Sequence, residues 1–252
     1  MSSTDYKYFR NNLLKKILRN ENYVRKNNTV FHDCAWSNLN MATQVLLISI
    51  REIGNNASEK ESILIRNFIN TLSDILNSFL SVTAGFLRGP GVILRSVVES
   101  ISCLIVIKMD VKKYNQYINN ELDPTSQITP AKKYFKEIGQ INGMLTNTFV
   151  HEKFETINRC TVINNENIEL SLLPNIEDID FQFVYLLLIS RLSRFVGGFC
   201  EYCFQYKFSQ LHYWTRTDRN TLKENKKTNE DLKILKLLEM MPKKYVPENG
   251  RK

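Results

Sequence analysis

Arg95 and Glu99 stand four residues apart in an otherwise apolar run, residues 92–107. Four residues is about one helical turn, so the two side chains share a face and reach each other. A guanidinium in that position can grip a phosphate through its planar fork, and a neighbouring carboxylate can orient it. His151 follows Asn147-Thr148-Phe149-Val150, and an imidazole there can move a proton near neutral pH. Gathered into one cleft, Arg95, Glu99 and His151 would supply acid–base and charge-stabilising groups for phosphate chemistry. The same residues also have a purely structural reading. Charges on a buried helix are costly unless paired, so Arg95 and Glu99 would form an ion pair fixing helix register. His151 would then be a helix-terminal residue favoured by the dipole.

Other polar groups point less clearly to chemistry. Cys200 and Cys203 have C-x-x-C spacing but sit in a long apolar stretch. A structural zinc needs a second ligand pair and a redox pair needs a βαβ setting, so we read both as buried thiols. His32-Asp33-Cys34 are adjacent and cannot easily converge on one ion. His212-Tyr213-Trp214 could stack on a base, or be the apolar end of a helix folding back on the core. No metal or other cofactor is expected.

The elements that must position these residues read as helices. With 9 Gly and 6 Pro in 252 residues, turns are too sparse for a many-stranded protein. Residues 4–27 form a charged helix that Asn27-Asn28-Thr29 breaks, and residues 36–53 form a second, stopped at Gly54. In residues 58–86, Ile65, Phe68, Leu72, Ile75, Phe79 and Val82 alternate steps of three and four, a sustained core-facing stripe. Gly89-Pro90-Gly91 turns the chain into a helix over 90–109, apolar on most sides. A short helix over 111–120, a loop over 121–130, a helix over 131–150 and a long helix over 177–209 follow. Two β-type runs around Asn164-Asn165-Glu166-Asn167 predict one small hairpin near 160–172. The fold class is therefore all-α, a multi-helix up-and-down bundle with one β-hairpin.

Domain organisation follows charge. The formal net charge is +8, yet residues 1–28 carry +5 and residues 215–252 carry another +5. We expect a bundle domain over 1–212, with its core at about 36–209, and a basic polar tail over 213–252 containing a short helix at 231–241. The basic ends are either solvated faces or one surface for RNA or another acidic partner. The first residues show no apolar signal region, so the thiols are expected to be reduced and the chain cytoplasmic. Arg95 and Glu99 interrupt one apolar run and Arg191 and Arg194 another, so neither is read as a membrane span.

Leu94-Arg95-Ser96-Val97-Val98-Glu99 resembles the L-R-x-x-x-E signature of one prokaryotic branch of the HEPN superfamily. Met144 through His151 resembles its second motif, a helix end closing in an apolar residue and His. The resemblance covers about residues 60–205 and implies a HEPN-like helical bundle that commonly dimerises. It implies a component of a bacterial defence or toxin–antitoxin system, with RNA, an antitoxin or a partner defence protein as its partner. Many such proteins are metal-independent endoribonucleases, in which case Arg95, Glu99 and His151 are the positions to test; others are non-catalytic interaction or sensor modules. The R-x4–6-H pattern of active members is met only by Arg25 and His32, which Asn27-Asn28-Thr29 separates, and we read that spacing as coincidental. A third class, a nucleic-acid-binding regulator, would act through the basic termini.

Overall fold

The computed structural model describes residues 3–86, 89–134, 137–145, 161–164, 167–170, 182–216 and 222–224. Among them the protein is all-α in character, with eight helices. These are α1 (Ser3–Asn27), α2 (Thr29–Ile53), α3 (Glu59–Thr83), α4 (Gly89–Met109), α5 (Val111–Ile118), α6 (Ile128–Ala131), α7 (Glu137–Leu145) and α8 (Gln182–Cys203). Two short antiparallel strand pairs accompany them. Thr161–Asn164 pairs with Asn167–Leu170, and Trp214–Arg216 with Leu222–Glu224.

The core is built from α2, α3, α4 and α8. The most extensive packing is between α2 and α8, followed by α3 against α4 and α8. The α3 stripe is buried at Phe68, Leu72, Ile75, Phe79 and Val82, but at its start Leu64 takes the buried place expected of Ile65, which is half-buried. A capping box starts that helix: the Glu61 amide donates to the Ser58 hydroxyl at 3.3 Å, and the Ser58 amide donates to the Glu61 carboxylate at 2.7 Å. Small residues let α2 and α8 approach closely. A methyl group on Gly197 of α8 would lie 2.7 Å from the Tyr213 hydroxyl and 3.0 Å from Cα of Ala42 on α2. Gly197→Ala is therefore expected to cost about 1–3 kcal/mol through overpacking, read as a lower midpoint in denaturant unfolding with an unchanged slope.

The structure moves several boundaries. The break after α1 is a single residue, and α2 begins at Thr29 rather than 36. Helical bonding runs through the break, because the Asn28 amide donates to Val24 O and the His32 amide to Asn28 O, each at 2.8 Å. The segment 121–130, expected as a loop, contains a 3-10 turn at Thr125–Gln127 and the start of α6. Asp123 caps it, accepting from the Thr125 amide at 3.3 Å and the Ser126 amide at 3.1 Å. The helix expected over 131–150 is divided. After Ala131 the amides of Lys133 and Tyr134 bond three residues back, which overwinds the chain into a turn before α7.

Both α4 and α8 are long and apolar enough to cross a membrane by length and composition, and most of each is buried inside the protein. The short helix expected at 231–241 lies outside the described residues.

Candidate functional site

Arg95 and Glu99 are brought together on α4. Arg95 Nε lies 3.4 Å from Glu99 Oε1, with 32% of the Arg side chain and 21% of the Glu side chain exposed. Their neighbours on α4 explain the placement. Leu94, Val97, Val98 and Ile101 fill the core, which turns residues 95 and 99 to the helix's open side, beside exposed Val92 and Ser96. One turn beyond Glu99 on the same side lies buried Cys103, whereas Lys108 is turned to α8, its Nζ donating to Cys203 O at 3.1 Å. The Cys103 thiol is pushed up to about 12 by burial, and by the negative fields of Glu99 and Asp123. Both α6 and α7 pack on α4. His151 lies outside the described residues, six beyond the last residue of α7.

The remaining sequence candidates separate. His32 Nδ1 lies 3.1 Å from Asp33 Oδ1, while Cys34 turns inward and meets Ser190 Oγ on α8 at 3.4 Å. His32 and Asp33 thus meet each other, while Cys34 points away to α8. Cys34, Cys103, Cys200 and Cys203 are buried and in no disulfide, and Cys160 lies outside the described residues. Burial pushes the Cys203 thiol up to about 12 and raises Cys200 as well, so neither is a nucleophile at neutral pH. No group of three or more His, Cys, Asp or Glu among the described residues could hold a metal ion.

His212, Tyr213 and Trp214 fold back onto α8. Tyr213 is buried, and the Trp214 indole N–H donates to Gly198 O at 2.8 Å. Rings continue along the helix, with Phe195, Phe199 and Tyr202 stacked in succession and Trp214 packed against Tyr202. The packed body therefore runs past residue 212 into Tyr213 and Trp214.

The residue that sequence reasoning missed is Glu201. Its side chain is 0% exposed and accepts from the His212 amide at 2.6 Å and the Tyr213 amide at 2.7 Å. The His212 ring nitrogen Nδ1 lies 3.3 Å from the same carboxylate, with 42% of that side chain exposed. A lone acid among Phe199, Cys200, Tyr202, Cys203 and Phe204 was the available signal, since a buried charge needs a partner. Its partners lie eleven and twelve residues on, where no helical period points.

A second pair missed in the sequence joins α3 to the turn after α8. The Tyr206 hydroxyl donates to Glu61. That bond, then those from the Ser58 hydroxyl and amide, hold the Glu61 carboxyl down to about 2. A carboxylate depressed in the folded state adds stability above its ordinary range, and that stability is lost as pH falls towards the folded value. Glu61 is only partly buried and its pair is screened by solvent, so the effect is small, less than about 1 kcal/mol. Tyr206→Phe should narrow the difference in melting midpoint between pH 5 and pH 2.5.

No family model, curated protein or solved structure matches the chain.

Proposed function

We propose that this chain is a HEPN-like component of a bacterial defence or toxin–antitoxin system, acting on RNA as a metal-independent endoribonuclease. The observation that carries the reading is the Arg95–Glu99 pair: joined at 3.4 Å, yet partly open to solvent on the most apolar helix of the core. A pair closed off from water would bear a desolvation cost and offer nothing to a ligand. This one keeps a cation on an accessible edge, where a phosphate can reach it. The fold proposed with it is an up-and-down bundle with its hairpin near 160–172. The chain would work in the cytoplasm, as a homodimer or with an antitoxin or other defence protein.

The chemistry follows from the residue types. Glu99 fixes the Arg95 guanidinium through the ion pair. The guanidinium stabilises the negative charge that builds on phosphorus in the transition state. His151 takes the proton from a ribose 2′-hydroxyl. The 2′-oxygen bonds to phosphorus as the bond to the 5′-oxygen breaks, and that oxygen takes a proton from solvent. The products are a 2′,3′-cyclic phosphate and a 5′-hydroxyl.

Induced expression in a bacterial host tests the reading. Growth arrest with RNA fragmentation by the wild type, lost in folded Arg95→Ala and His151→Ala, is the expected result. Arrest unchanged in both variants would point instead to a non-catalytic interaction module.

A further inference from the structure

The outward side of α1 carries a cationic row that the core does not use. Lys15, Arg19, Asn22 and Lys26 stand four, three and four residues apart, the spacing of one helical face. All four are exposed. At 1.5 Å per residue the row is about 16 Å long. The other side of the helix is what docks. Val24 is buried, and buried Asn20 donates through Nδ2 to Ala84 O at the end of α3, at 3.1 Å. Arg25 adds a further exposed cation beside Lys26. The acidic residues of α1 are Asp5 and Glu21, and neither lies in the row.

Trp36 stands ten residues beyond Lys26 on α2, and 51% of it is exposed. Its ring centroid lies 5.7 Å from that of buried Phe79, tilted by 35°. His32, one turn earlier, packs against the same ring at 5.3 Å. The indole is thus held in place and still offers surface to solvent. Ten helical residues span at most about 15 Å, so the indole lies within reach of the row's end. Exposed Asp33 lies between them in sequence, which confines phosphate contacts to α1.

A row of cations tracks a phosphate backbone, and an exposed, braced indole stacks on an unpaired base. A duplex keeps its base faces hidden and could use only the cations. We propose that α1 and the first turns of α2 form a track for single-stranded RNA. Its phosphates run along Lys15, Arg19 and Lys26, and one base stacks on Trp36. The proposal shares its ligand class with the reading above and extends it with a binding path that does not need Arg95.

The test is fluorescence anisotropy of a dye-labelled 2′-O-methyl oligouridylate, which lacks the 2′-hydroxyl that cleavage needs, with the full chain across a salt series. Lys15→Gln/Arg19→Gln/Lys26→Gln should weaken binding at least about tenfold and lower the slope of log K against log salt by about 2. Trp36→Ala should weaken binding about tenfold with the slope unchanged. Both track variants alter solvent-facing groups, and melting curves would verify that each is folded. Wild-type protein that fails to bind, or binding unchanged in both track variants, overturns the proposal. Binding lost only in Arg95→Ala overturns it too, while leaving the nuclease reading in place. Leu14 and Leu18 are also exposed on α1. Preferential binding to phosphatidylserine vesicles, lost in Leu14→Ser/Leu18→Ser, would assign α1 to a lipid surface and overturn the RNA track.

Discussion

Glu201→Ala is expected to destabilise the protein by about 2–4 kcal/mol, lowering the melting midpoint by about 4–16 °C. The carboxylate is fully buried and accepts two backbone N–H groups, at 2.6 and 2.7 Å. Alanine leaves both donors in the interior with no acceptor, and that desolvation cost sets the size of the effect. Glu201→Gln keeps one acceptor oxygen and sets an NH2 group against the other donor, so its loss should fall between the two. The damage should begin at residues 212–214, which the carboxylate holds onto α8. With Trp36 replaced by Phe, Trp214 is the sole tryptophan, since the chain has two. Its emission should shift to longer wavelength in Glu201→Ala before global unfolding. A variant that melts with the wild type would contradict the anchoring role.

Arg95→Ala carries the second large effect, and it is on activity. On the proposed reading, Arg95 meets the charge that develops on the phosphate, and removing it is expected to lower RNA cleavage by about 10²–10³-fold. Stability should change little, because a partly exposed ion pair contributes about 0–1 kcal/mol. Arg95→Lys should recover only part of the rate, since lysine keeps the charge and loses the two-pronged fork. The structural reading of the same residue predicts the opposite pattern, a clear drop in melting midpoint with any activity unchanged. A thermal melt beside a cleavage assay therefore separates the two.

What was legible in the sequence was whatever repeats locally. The α3 stripe announced itself through steps of three and four, and it is buried from Phe68 to Val82, with Leu64 rather than Ile65 turned fully inward at its start. The Arg95–Glu99 contact was readable because one helical turn fixes both ends of the pair. The division of the helix expected over 131–150 was not, because the overwinding after Ala131 depends on which carbonyl each amide selects. The break between α1 and α2 was overread. Asn27, Asn28 and Thr29 favour a stop by propensity, yet the helical bonding runs through Asn28 with buried Val24 just before it. Glu201 was hidden for a different reason. Its partners are backbone amides in a polar stretch far along the chain, and backbone groups leave no mark on a residue pattern. The braced position of Trp36 likewise depends on Phe79, in another helix.

The central claim is that Arg95 and His151 cut RNA together without a metal. The direct measurement incubates the purified full-length chain with single-stranded RNA in excess EDTA and maps the product ends. Cleavage to 2′,3′-cyclic phosphate and 5′-hydroxyl ends, abolished in folded Arg95→Ala and His151→Ala, is the predicted result. Intact RNA with the wild-type protein, or cleavage that survives both substitutions, would contradict it.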